Sequence, residues 1–151
     1  MSKLLPLAAL FFLCGCQSHR ADAWPALNLS QPGWKIWNGQ AVWQARKSMP
    51  ELAGDVTVAV NADGTAFVQF TKTLAFATAR EDGRRWQIEF PGGRLYSGRY
   101  PLPHHFAWLQ LPALAQGRPL PRPWKDEGTL DEFVVENRRA GETLRGYLTT
   151  P

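Results

Sequence analysis

The chain has 151 residues, room for one domain rather than two. A hydrophobic fraction of 44% and a charged fraction of 20% belong to a folded protein and exclude a disordered or collagen-like chain. The net charge of +4 is mild and spread along the chain, so no nucleic-acid partner is expected.

Met1-Ser2-Lys3 is followed by an apolar run from Leu4 to Leu13. One cation followed by about ten apolar residues forms the n-region and h-region of a secretory signal. The run is half the ~20 residues that a membrane span needs. It ends in Leu13-Cys14-Gly15-Cys16, which resembles the lipobox of bacterial lipoproteins. That resemblance implies cleavage before Cys16, a diacylglycerol on its thiol and a further acyl chain such as palmitate on the new amine. Gln17 stands where inner-membrane lipoproteins carry Asp, which implies the outer membrane, with the domain facing the periplasm. Two or more acyl chains make a firm anchor, at ~0.8 kcal/mol per buried CH₂. The expected division is 1–15 signal peptide, 16–33 lipidated tether and entry segment, and 34–151 β domain. Loss of Lys3 with the leader lowers the net charge by one. No thiol then remains for a disulfide, a metal or nucleophilic chemistry.

From residue 39 onward the pattern is short strands between turn signals. Strands are predicted at 39–46, 55–60, 65–71, 74–79, 85–90 and 95–100. Val56, Val58 and Val60 alternate onto one face, as do Trp86, Ile88 and Phe90, with Arg85, Gln87 and Glu89 on the other. Asn61-Ala-Asp-Gly64, Glu81-Asp-Gly83 and Pro91-Gly92-Gly93 read as turns. Lys72 to Phe76 reads either as strand or as an apolar loop. Six of the twelve prolines then fall between Pro101 and Pro123. This stretch is apolar but barred from a central strand, and is predicted as a short helix or turn over the sheet. Strands at 129–136 and 143–148 close the chain. The expected fold is mainly β: one strongly curved antiparallel sheet, an unclosed barrel with the 101–123 segment as plug.

No catalytic constellation is present, and neither enzyme activity, metal nor cofactor is expected. His19 sits on the tether, and the adjacent His104 and His105 diverge in an extended chain. The acids cluster in turns, and Ser48 and Ser97 lack a nucleophile context. The arginines, among them Arg122, Arg138 and Arg139, read as a solvated surface or as contacts with anionic lipid headgroups.

The order of lipobox, aromatic-rich sheet, Pro/Leu/Trp segment and closing strands resembles the LolA/LolB lipoprotein-localisation superfamily. Trp108-Leu-Gln-Leu-Pro-Ala-Leu-Ala-Gln-Gly-Arg-Pro-Leu-Pro121 carries most of the resemblance, which spans about residues 34–148. It implies an apolar cavity for acyl chains, with Val58, Phe67, Trp86, Ile88 and Trp108 as lining. It also implies lipoprotein cargo received from a periplasmic LolA-like carrier. The chain departs from that family in lacking an evident long helix before the first strand, where Pro25 and Pro32 intervene. Two other readings stay open. One is an accessory envelope lipoprotein with a solid core, acting through protein contacts. The other is a glycan-binding module in which Trp24, Trp34, Trp37 or Trp43 stack on sugars.

Overall fold

The computed structural model describes residues 24–149, the side chains of 74–76 excepted. The predicted leader, the Cys16 lipid site and His19 lie outside the described residues. Strands run at β1 (Trp34–Gln44), β2 (Leu52–Asn61), β3 (Ala66–Lys72), β4 (Leu74–Glu81), β5 (Arg85–Phe90), β6 (Arg94–Arg99), β7 (Lys125–Thr129), β8 (Glu132–Asn137) and β9 (Glu142–Thr149). A 3-10 turn (Ala107–Gln110) leads directly into one short helix, α1 (Leu111–Ala115). The strand order is β6-β5-β4-β3-β2-β1-β9-β8-β7, all neighbours antiparallel. β6 and β7 are its two unpaired edges, so the sheet is not closed. This is the mainly β, single antiparallel sheet that the alternation predicts, with the Pro-rich segment laid over its concave face.

The concave face follows from register. Val58 lies opposite Val68 and Trp37, and Val68 opposite Ala79, which in turn faces Ile88. Period-two alternation puts Val56, Val60, Ala66 and Phe70 on the same side. All are buried, and Trp108, Leu109 and Leu111 come down on them from the plug. Each such side chain contributes roughly 1.5–3 kcal/mol by leaving water. Proline explains the plug's local form. Pro112 sits at the start of α1, where a missing N–H costs nothing, and the surrounding prolines prevent a ladder. Backbones approach closely at the β1–β9 seam, where two glycines leave no room for a Cβ. A Cβ on Gly146 would stand 2.1 Å from the Gln40 carbonyl oxygen, and one on Gly39 would stand 1.8 Å from that of Tyr147.

Several details depart from expectation. β7 occupies 125–129, which alternation does not mark, because all five of its residues are exposed. Lys72 to Phe76 forms a tight hairpin with strand on both sides of Thr73. The entry segment is docked rather than loose from Trp24 onward. The Trp24 N–H donates to Gln87 Oε1 at 3.3 Å, and Arg80 Nη1 donates to the Pro25 carbonyl. Gln87 is therefore buried, although it stands on the outer face.

Candidate functional site

The five predicted lining residues do not all meet. Val58, Ile88 and Trp108 are each fully buried on the concave side, and Trp86 packs at the border of the same core. Phe67 does not join them. It lies opposite Ala59 and Arg80, and Arg80 faces Gln87, which makes a row on the convex face. The hydrogen bonds of Trp24 and Pro25 to that row lay the entry segment across it, which accounts for Phe67 being buried there.

The concave interior is filled. Trp108 stacks edge-on against Trp43 at 5.2 Å and Phe90 at 6.0 Å, and lies tilted against Phe106 at 5.0 Å between ring centroids. Between the plug and Ala66, Val68 and Ala79 there is about 150 Å³ of interatomic space and no room for a water. Trp108 Nε1 and both polar atoms of the Gln110 side chain are buried here without a hydrogen-bond partner.

Open space lies beside Gln40, Asp55 and Arg145, at the β4–β5 turn, and most of all at the end of the sheet where β8 turns into β9. Two buried polar residues, Asn137 and Glu142, face each other across that hairpin. The Asn137 side-chain oxygen accepts from the N–H groups of Arg139 and Ala140 at 3.1 and 3.2 Å, fixing the turn. Its Nδ2 donates to the His104 carbonyl at 3.0 Å. Glu142 accepts from Trp43 Nε1 and the Ala107 N–H, both at 2.7 Å, and from the Phe106 N–H at 3.1 Å. The pair thus staples the plug's start to the sheet and holds Phe106 at a φ of 65°, a left-handed conformation that a bulky residue adopts only under such constraint. Burial pushes the Glu142 carboxyl above its ordinary range, against the lowering effect of its three donors and of nearby His105.

Two open clefts flank this staple and share His105 and Ala140 as their common wall. One, of about 870 Å³, has an apolar floor of Trp43, Ala45, Met49, Phe106 and Ala140, with Arg46 on its rim. The other, of about 750 Å³, is lined by His104, His105, Arg122, Lys125, Arg138 and Arg139 beside Trp124. Arg138 is paired with Glu136 at 3.2 Å. Arg122, Lys125 and Arg139 form no ion pair among the described residues.

The four tryptophans near the chain's start do not share one platform. Trp37 is in the core, Trp43 is stacked on Trp108, Trp34 is half-buried at the start of β1, and Trp24 lies under the Arg85 guanidinium at 5.2 Å. Among the described residues no three His, Cys, Asp or Glu side chains converge on a metal-sized site, and no helix is long and apolar enough to cross a membrane. Sequence reasoning missed Asn137 and Glu142, which read as ordinary polar residues beside a turn. Their being cross-strand partners was the missing fact. No protein-family model matches the chain, and no curated protein matches it.

Proposed function

We propose that this chain is a lipid-anchored outer-membrane protein, held through Cys16 and facing the periplasm. In this reading it binds the acyl part of a lipid or lipoprotein and serves lipid or lipoprotein localisation, with a LolA-like carrier as partner. The lipobox supports the anchor. The observation that carries the binding step is the apolar cleft of Trp43, Met49 and Phe106, open beside a filled interior. A chain entering there meets aromatic faces without displacing the plug. Apolar lining with a few placed polar groups is the usual composition of such a site.

The anchor is tested by palmitate incorporation into the full-length chain in a diderm host and by outer-membrane fractionation. Both are expected to vanish in Cys16→Ser. For the cleft, a photoactivatable fatty acid is added to the anchored full-length chain in phosphatidylcholine vesicles. Crosslinks mapped by peptide mass spectrometry are expected at Trp43, Met49 and Phe106. Met49 is 49% exposed, so Met49→Glu leaves the fold intact while placing a charge in the cleft. It is expected to reduce those crosslinks about tenfold. Crosslinks absent from the cleft refute the reading.

One observation favours a second reading, an accessory envelope protein acting through protein contacts. The space between the plug and Ala66, Val68 and Ala79 has no room for a water, as a solid core requires.

A further inference from the structure

We propose that the basic cleft is a seat for the phosphate of an anionic amphiphile, whose apolar part lies in the adjoining aromatic cleft. The inference rests on the acyl-binding reading above and adds the headgroup class that the site selects.

The geometry argues in three steps. First, the two clefts share His105 and Ala140 in their linings, and one carries Arg122, Lys125, Arg138 and Arg139 where the other carries Trp43, Met49 and Phe106. An amphiphile has the same division, with a chain on one side and a headgroup on the other. Second, the cations outnumber their partners. Arg138 is met by Glu136, which also stands opposite Lys125 across the β7–β8 ladder, so one carboxylate serves two cations, and Arg122 and Arg139 form no ion pair among the described residues. Guanidinium forks set in a concave site match phosphate oxygens in pairs, and Lys adds a point charge. Third, the wall is preorganised. Asn137 accepts from the Arg139 and Ala140 N–H groups and donates to His104, while Glu142 holds Phe106 and Ala107. The cations on the turn thus start from a backbone that is already ordered, which lowers the entropy lost on binding. Glu142, the nearby acid, has its oxygens engaged by three donors and lies in the wall of the aromatic cleft, not the basic one.

The test uses the full-length anchored chain in phosphatidylcholine vesicles. Photoactivatable phosphatidic acid and photoactivatable diacylglycerol of identical chains are compared for crosslinking at Met49 and Phe106. Phosphatidic acid is expected to label about thirtyfold more at equal mole fraction, from two cation contacts of the usual strength near a surface. The double variant Arg122→Gln/Arg139→Gln should bring phosphatidic acid down to the diacylglycerol level and leave diacylglycerol labelling unchanged. Arg84→Gln, at the opposite end of the sheet, should change neither. Equal labelling by both lipids overturns the headgroup seat while leaving acyl binding standing. Labelling of the cleft by neither lipid overturns the acyl reading itself. Glycerol 3-phosphate, which has the phosphate but no chain, is expected to compete only weakly. Competition as strong as that of unlabelled phosphatidic acid would make the seat one for a soluble phosphate and overturn the lipid assignment.

Discussion

The two ends of the sheet are built from the same strands and handle charge in different ways. At the β4–β5 end, acids and bases meet locally. Asp82 accepts the N–H groups of Arg84 and Arg85 at 2.9 and 2.8 Å and pairs with the Arg85 guanidinium at 3.2 Å. Glu81, nearby, accepts from the Tyr100 hydroxyl, with Arg118 as a further countercharge. At the β8–β9 end Glu142 is buried and spent on backbone and indole N–H groups, and of the surrounding cations Arg138 pairs with Glu136 while Arg122 and Arg139 form no ion pair among the described residues. Similar carboxylate chemistry ties a turn at one end, beside a recess of about 430 Å³ lined by Asp82, Arg84, Arg85 and Arg99, and staples the plug at the other, beside the larger recess of Arg122, Lys125, Arg138 and Arg139.

The sharpest way to break this contrast is Glu142→Ala. It strands the buried Ala107 N–H and removes the Trp43 and Phe106 bonds. Stability measured by urea unfolding is expected to fall by about 2–4 kcal/mol. A loss below ~1 kcal/mol would mean that the staple does not organise this end. A smaller effect is expected at the plug. Gln110 is 1% exposed with no partner for its amide. Gln110→Met should stabilise the fold by roughly 1–2 kcal/mol, since burying an unpaired amide is the larger penalty. Destabilisation would show that the amide has a partner in solution.

The pH dependence separates the ends further. Burial raises the carboxyls of both Glu81 and Glu142. The folded state then holds those protons more tightly than the unfolded chain. This stabilising contribution is complete below the ordinary carboxylate value and is lost as pH rises through the folded values. Melting temperature is expected to decline from about pH 4 toward neutrality on this account. Glu142→Gln, which cannot ionise, should flatten the decline, and an unchanged slope would assign it to Glu81 alone. The smallest effect is expected for Asp82→Ala. Its turn is solvated, so the loss should stay under about 1 kcal/mol. A loss matching that of Glu142→Ala would erase the contrast between the ends.

Much of the fold was legible because apolar alternation is a geometric statement. Val56, Val58 and Val60 could share only one face, and Trp86 and Ile88 only one. Proline density between 101 and 123 marked the plug, since those residues cannot build a central ladder. Phe67 was misplaced because Phe67 and Val68 are both apolar, so the strand's own pattern does not say which one faces inward. The register with Ala59 and Arg80 does. β7 was invisible because an exposed edge strand has no face to bury and thus no period. The site was the least legible part. Asn137 and Glu142 act as a pair; the sequence predicts the two closing strands that they join, but not the register that sets them opposite each other or the burial that makes them a staple.

The unclosed sheet has one more consequence. An open barrel presents two strand edges, and edges recruit strands from neighbouring molecules. β7 offers Lys125, Asp126, Glu127 and Gly128, all exposed, and β6 is flanked by the exposed Arg94 and Arg99. An intruding strand would have to desolvate charges of both signs on one rim and cations on the other. Charged rims of this kind oppose edge-to-edge pairing between copies.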